Sequence, residues 1–147
     1  MIRLITVLKD IKPQELDQIL AIWLQSNIEV HNFIPKKHWI NNYEYVKGEL
    51  PKAKIYAYHK DSQIVAFLGL TKRYITGTFV QNVWQNKGLG TNLLNRVKNE
   101  NTELNLSVYA KNKTAVDFYK KNDFSISSQN TDTDVQELEY QMSWNKK

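Results

Sequence analysis

The apolar positions of this chain change period several times, and each change marks an element. Residues 1–9 read as a first strand. Asp10 and Pro13 then announce a helix, a capping residue followed by proline near the first turn. Leu16, Ile19, Leu20, Trp23 and Leu24 recur at i, i+3, i+4, i+7 and i+8, so they share one helix face, which runs to about Asn27. Residues 31–35 read as a linker. Trp39, Tyr43, Val46 and Leu50 form a second amphipathic helix, closed by residues 48–51.

Strand periodicity follows. Residues 54–58 are short and half-polar, and the Lys60-Asp61-Ser62 turn joins them to residues 64–70. That second run is almost wholly apolar and is expected to be buried on both faces. Tyr74–Val80 is β-branched and aromatic, with Gly77 marking a bulge or a close backbone approach. A helix over residues 87–99 comes next, then a strand in which Leu104, Leu106 and Val108 alternate. Residues 112–122 read as a fourth helix. Residues 124–128 and 138–144 read as strands, with a polar, acidic loop over 129–136. The order βααβββαβαββ implies an α/β (α+β) fold, a mixed central sheet of about seven strands with helices on both faces. No repeat or second domain interrupts it, so residues 1–147 read as one domain.

The junction after Tyr74–Val80 carries candidate chemistry. Gln85-Asn86-Lys87-Gly88-Leu89-Gly90 is a glycine loop between a strand and a helix. Such a loop turns backbone N–H groups outward at the positive end of a helix dipole, where a phosphate binds readily. A plain helix start that contains glycines explains the loop alone equally well. Lys87 precedes Gly88, and Thr91 follows Gly90 with no lysine between, so this is not a Walker loop. A dinucleotide fingerprint needs a third glycine where Leu93 stands.

The stretch 79–94 (Phe-Val-Gln-Asn-Val-Trp-Gln-Asn-Lys-Gly-Leu-Gly-Thr-Asn-Leu-Leu) resembles the acetyl-CoA motif of the GNAT superfamily of acyl-CoA N-acyltransferases. Residues 107–119 (Ser-Val-Tyr-Ala-Lys-Asn-Lys-Thr-Ala-Val-Asp-Phe-Tyr), ending in Asn122-Asp123-Phe124, resemble the second signature of that family. The two motifs occur in order and at the right spacing, over about the C-terminal half. Ile22-Trp23-Leu24-Gln25-Ser26, His31-Asn32-Phe33-Ile34 and Gln141-Met142-Ser143-Trp144 are similar to a bacterial subgroup of small members, some regarded as protein lysine acetyltransferases.

The resemblance implies an N-acetyltransferase using acetyl-CoA as cosubstrate, with a primary amine attacking the thioester directly. It implies that the Phe79 and Val80 backbone holds the pantetheine arm like an added strand. The pyrophosphate would lie on the N–H groups of Asn86, Lys87, Gly88, Leu89, Gly90 and Thr91, with Gln85 in the same cofactor-binding loop. Asn112 is implied as a pantetheine contact, and it is also a preferred helix N-cap residue. Tyr119 is implied as the acid that protonates the leaving thiolate, and a core aromatic is the competing reading. A phenol of pKa about 10 is protonated at neutral pH and can donate to a thiolate of pKa about 8.5. No carboxylate base lies between Arg73 and Val80, which leaves His31 and Tyr74 as candidates. Trp23, His31, Phe33 and Tyr74 are expected to line the acceptor pocket. Asp132, Asp134, Glu137 and Glu139 would favour a cationic amine, foremost a protein lysine.

Composition narrows the alternatives. The net charge is +5, which suits a polyanionic cosubstrate, but the lysines are scattered and form no nucleic-acid module. There is no cysteine, which excludes disulfides, thiolate zinc and a cysteine nucleophile. His31, His38 and His59 lack metalloprotease spacing, so no metal is expected. The opening residues lack a long apolar run, so no membrane association and a cytoplasmic location are expected. The oligomeric state stays open between monomer and homodimer. Other acceptors (a small amine, an amino sugar, a protein N-terminus) and a non-catalytic acyl-CoA sensor remain alternatives.

Overall fold

The computed structural model describes residues 4–147. Its elements run β1 (Ile5–Leu8), α1 (Pro13–Val30), α2 (Lys36–Glu49), β2 (Lys54–Lys60), β3 (Gln63–Thr71), β4 (Tyr74–Val80), α3 (Leu89–Asn99), β5 (Glu103–Tyr109), α4 (Lys113–Lys121), β6 (Ser125–Asp132) and β7 (Glu137–Asn145). The part of the first expected strand at residues 1–3 lies outside the described residues.

Helix α1 starts later than the expected cap. Its N-cap is Lys12, whose N–H donates to Glu15 Oε1 at 2.9 Å, and Pro13 fills the first turn. Asp10 instead sits in a left-handed turn at φ 50°. Between β2 and β3, Asp61 and Ser62 both take positive φ, the geometry of a two-residue hairpin. Strand β2 is longer and more buried than its polar residues imply. Ile55, Tyr56, Ala57 and Tyr58 are all buried, and the Tyr56 hydroxyl donates to Glu100 at 2.6 Å. The expected acidic loop shrinks to a tight hairpin, because β6 continues to Asp132. This strand is the exposed edge of the sheet, so polar residues occupy both of its faces and apolar alternation never develops.

The seven strands lie in the order β1-β2-β3-β4-β5-β7-β6. Only β4 and β5 run parallel, joined by the α3 crossover. Two cores flank the sheet. Ile19, Leu20, Trp23 and Trp39 of α1 and α2 pack on Ile55, Ala57, Ile64 and Phe67. Leu93, Leu94 and Val97 of α3, with Val116 and Tyr119 of α4, pack on Tyr56, Leu68, Leu106 and Met142 on the other face. The helices therefore cover both faces, in a mixed α/β arrangement.

Strand pairing breaks off early between β4 and β5. Strands β4 and β5 pair only through Tyr74 with Asn105 and Ile75 with Leu106. Opposite them, the β3–β4 register shifts so that Thr76 is the extra residue of a bulge. Gly69 and Gly77 face each other beside it. A Cβ on Gly69 would lie 2.3 Å from Thr76 Oγ1. Gly69→Ala is therefore expected to lose roughly 1–3 kcal/mol of stability by crowding the bulge. An unchanged urea unfolding midpoint would show that Thr76 yields freely.

Candidate active site

The parting of β4 from β5 opens a cleft of about 730 Å³. At one end is the α3 N-terminus, in the middle the α4 helix, and at the other end the C-terminus of α1 with Tyr74.

The glycine loop forms the first wall. Gly88 caps α3 at φ +84°, a left-handed value that side chains rarely adopt, and Asn86 takes φ 62°. The N–H groups of Asn86 to Thr91 find no acceptor among the described residues. Gln85, Asn86, Gly88, Leu89, Gly90 and Thr91 line the cleft, whereas Lys87 is exposed and does not. Gly90 differs from Gly88 in kind. A Cβ there would meet the Phe118 ring at 2.9 Å, so its small size also serves the packing of α3 on α4.

The backbone of β4 supplies the second wall. The Gln81 N–H donates to Val65 O on β3, so alternation turns Phe79 toward β3 as well. Thr78 and Val80 then turn their backbone groups into the cleft. The Val80 carbonyl already accepts from Gln85 Nε2 at 3.1 Å. The expected backbone contact through Phe79 thus narrows to Val80, with Thr78 as the neighbour the sequence reading missed.

Helix α4 brings in Tyr119. The residue is buried, its ring packs near Phe118 and Phe124, and its hydroxyl donates to Thr78 Oγ1 at 3.2 Å. Burial raises its pKa, while the Thr78 hydrogen bonds oppose the rise, so the phenol holds its proton. The competing readings of core residue and cleft residue both apply: the ring is core, and the residue lines the cleft.

His31 is enclosed by aromatic rings. It stacks on Trp39 at 5.3 Å and meets Phe33 and Tyr109 edge-on. Asn112 Oδ1 caps α4 by accepting from the Ala115 N–H, so Asn112 turns its Nδ2 to His31 Nε2, at 3.2 Å. The imidazole therefore accepts at Nε2 and carries its proton on Nδ1. Burial pushes its pKa down to about 4. An imidazole so weakly basic, with its lone pair already engaged, is a poor general base, which removes one of the two candidates. The same contacts occupy the Asn112 amide, favouring its capping role.

Trp23, His31 and Tyr74 line the cleft as expected, but Phe33 does not. Phe33 packs behind the wall, 5.9 Å from Tyr109, with Lys111 Nζ over its ring. Of the acidic candidates only Glu139 lines the cleft. Asp132 accepts from the Tyr109 hydroxyl at 2.7 Å, and Glu137 pairs with Lys111. Ser107 and Tyr109 also line the cleft and were missed. The alternation of Leu104, Leu106 and Val108 already placed them on the opposite face of β5.

Residues 7–141 match the family described as the acetyltransferase (GNAT) domain. The chain belongs to the GNAT acetyltransferase family. This GNAT domain is 27% identical over 140 residues to the peptidyl-lysine N-acetyltransferase YiaC of Escherichia coli (strain K12), covering 94% of this chain and 96% of that one. It is 26% identical over 123 residues to the peptidyl-lysine N-acetyltransferase YjaB of the same strain, covering 83% and 84%. Its fold superposes on the apo-form solution structure of YjaB from Escherichia coli with a TM-score of 0.83 at 22% identity, covering 99% of this chain and 100% of that one. The GNAT fold also matches an aminoglycoside 6'-N-acetyltransferase complexed with coenzyme A, with a TM-score of 0.73 at 12% identity and 97% of each chain. No helix among the described residues is long and apolar enough to cross a membrane.

The buried histidine has a measurable consequence. An unfolded imidazole titrates near pH 6.5, whereas the folded one resists protonation down to about pH 4. Between these values the unfolded chain binds more protons. Stability is therefore undiminished above about pH 6.5 and falls as pH drops toward 4, by up to on the order of 3 kcal/mol. His31→Gln, which keeps an acceptor for Asn112, should lack this component. Urea unfolding of both proteins at pH 7.5 and pH 4.5 measures the difference; identical losses would contradict a buried neutral imidazole.

Proposed function

We propose that this acetyltransferase moves the acetyl group of acetyl-CoA to a primary amine, foremost the side chain of a protein lysine. The observation that carries the reading is the cleft itself. It joins free N–H groups at the α3 N-terminus, β4 backbone that β5 does not pair, and the Tyr119 residue in one continuous space.

The donor set fits acetyl-CoA. Six N–H groups at the positive end of a helix suit a pyrophosphate. The backbone of Thr78 and Val80 suits an extended amide-bearing arm laid where β5 would otherwise pair. Acetyl-CoA supplies an activated acyl carbon: the C–N bond forms as the C–S bond breaks. Tyr119 carries a proton beside the cleft that it gives to Thr78 Oγ1 in this structure, over a long 3.2 Å bond, and would turn to the departing sulfur. Phe118 and Leu89 close one side against water, while Trp23 and Tyr74 offer aromatic surface to a cationic side chain. Glu139 adds negative charge at that mouth. Lysine is favoured over other amines by the names of the relatives that match over most of their length.

Four outcomes test this. With acetyl-CoA and lysine peptides, free CoA should appear only when acceptor is present, and mass spectrometry should find acetyl groups on lysine side chains. Modification of α-amines or hydroxyls alone would contradict the lysine acceptor. The rate should climb from neutral to alkaline pH, because a lysine of pKa about 10.4 must lose a proton before attack. Tyr119→Phe should lower the rate roughly 10²–10⁴-fold with acetyl-CoA affinity nearly intact. Gly88→Val should instead weaken acetyl-CoA binding, since valine is strained at φ +84° although nothing crowds it. Calorimetric titration that finds equal affinity in the folded variant would remove the loop from the binding site.

A further inference from the structure

Five side chains form a continuous hydrogen-bonded row from Tyr74, beside the last paired residues of β4 and β5, across β5 and β7 to β6. Tyr74 on β4 bonds Ser107 on β5 at 2.8 Å, and Ser107 bonds Gln141 on β7 at 2.7 Å. Gln141 bonds Asn130 on β6 at 2.7 Å, and Asn130 returns to Glu139 on β7 at 2.9 Å. Register places these strands side by side, with Ser107 opposite Gln141 and Asn130 opposite Glu139. Tyr74, Ser107 and Glu139 also line the cleft.

The direction of every bond in the row follows from its acidic end. A carboxylate has lone pairs and no proton, so Asn130 must turn its Nδ2 toward Glu139. Its Oδ1 then faces Gln141, which must donate through Nε2. That leaves Gln141 Oε1 for Ser107, whose single proton goes there. The Ser107 oxygen can then only accept from Tyr74. The Tyr74 proton is committed to the sheet, and only oxygen lone pairs remain for the cleft.

We propose that Glu139, acting through Asn130, Gln141 and Ser107, fixes the Tyr74 hydroxyl as a hydrogen-bond acceptor that receives an N–H of the incoming amine. The inference rests on the amine reading above and assigns that amine its polar anchor. Tyr74 is the residue that touches the acceptor; Ser107, Gln141, Asn130 and Glu139 are positioning residues. The role assigned to Tyr74 is that of an anchor and not of a base, because its hydroxyl donates to Ser107. The anchor favours nucleophiles that carry hydrogen: an N–H finds a lone pair, whereas an atom without hydrogen meets lone pair against lone pair. Tyr74 is 41% exposed, so water competes for each bond and limits its strength. What the row controls is direction, and the Glu139 charge at its end strengthens that polarity.

The test is steady-state kinetics of the full chain with acetyl-CoA and an N-terminally blocked lysine peptide. Tyr74→Phe, Ser107→Ala and Glu139→Gln should each raise the acceptor KM roughly three- to tenfold, the size of one hydrogen bond, and leave the acetyl-CoA KM unchanged. Ser107→Thr, which keeps the hydroxyl, should restore the wild-type value. In a Tyr74→Phe background, Ser107→Ala should add less than twofold, because the row then has nothing to direct. The part of the Glu139→Gln effect that persists in that background measures simple charge attraction. The proposal is overturned if Ser107→Ala leaves the acceptor KM unchanged, or if its full effect survives in the Tyr74→Phe background. Glu139→Gln alters a partly exposed residue and keeps the question decidable should Ser107→Ala fold poorly: an effect wholly retained in the Tyr74→Phe background would also overturn it. A wild-type chain that releases no CoA with any amine would overturn the amine reading itself, and this inference with it.

Discussion

Adjacent parallel strands ordinarily stay paired along their length, because a backbone group left without a partner costs free energy. Strands β4 and β5 abandon that pairing after Ile75. The Thr76 bulge turns β4 aside; Gly69 leaves room for Thr76, and Gly77 leaves room for the Phe79 ring. Each wall of the cleft depends on this one departure. It exposes the Thr78 and Val80 backbone, sets Tyr119 beside Thr78, and leaves the α3 N-terminus at the far end of the same opening. These groups face the cleft, where, on the proposed reading, an extended ligand would take the place of the missing strand.

The two sides of the cleft are mechanically linked as well as adjacent. Asn112 caps α4 with one end of its amide and holds His31 with the other. His31 in turn belongs to the aromatic cluster of α1 and α2, against Trp39. The helix that carries the proposed acid is thus tied to the helices that form the acceptor wall. Keeping the imidazole neutral is part of that tie, since a proton on Nε2 would face the Asn112 amide donor.

Most of the fold was legible because its signals are local. The helical stripes of α1 and α3, the unbroken apolar run of β3 and the glycine loop each lie within a short window. Strand β6 was cut short because an edge strand exposed on both faces has no apolar alternation to read. The glycine loop and Tyr119 could be singled out through resemblance to a family, but not the partner at Thr78. Its position depends on the bulge, which shifts the alternation of β4 by one residue. Lys87 and Phe33 fail as cleft-lining groups, and His31 as a base, for a common reason. Sequence proximity to a site says nothing about where a side chain turns: Lys87 faces solvent, Phe33 packs behind the wall, and His31 is held by its neighbours.

The outer end of the sheet has a different character from the rest. Seven of the eight residues of β6 are exposed, and only Ile126 among them is apolar. Nothing in the core rests on their identity, and substitutions at such positions usually change stability little. Yet this strand adjoins β7, which reaches the cleft mouth through Glu139. Under the proposed reading, mutation of β6 can therefore retune the acceptor end of the cleft through β7 while the glycine loop at the α3 N-terminus stays untouched.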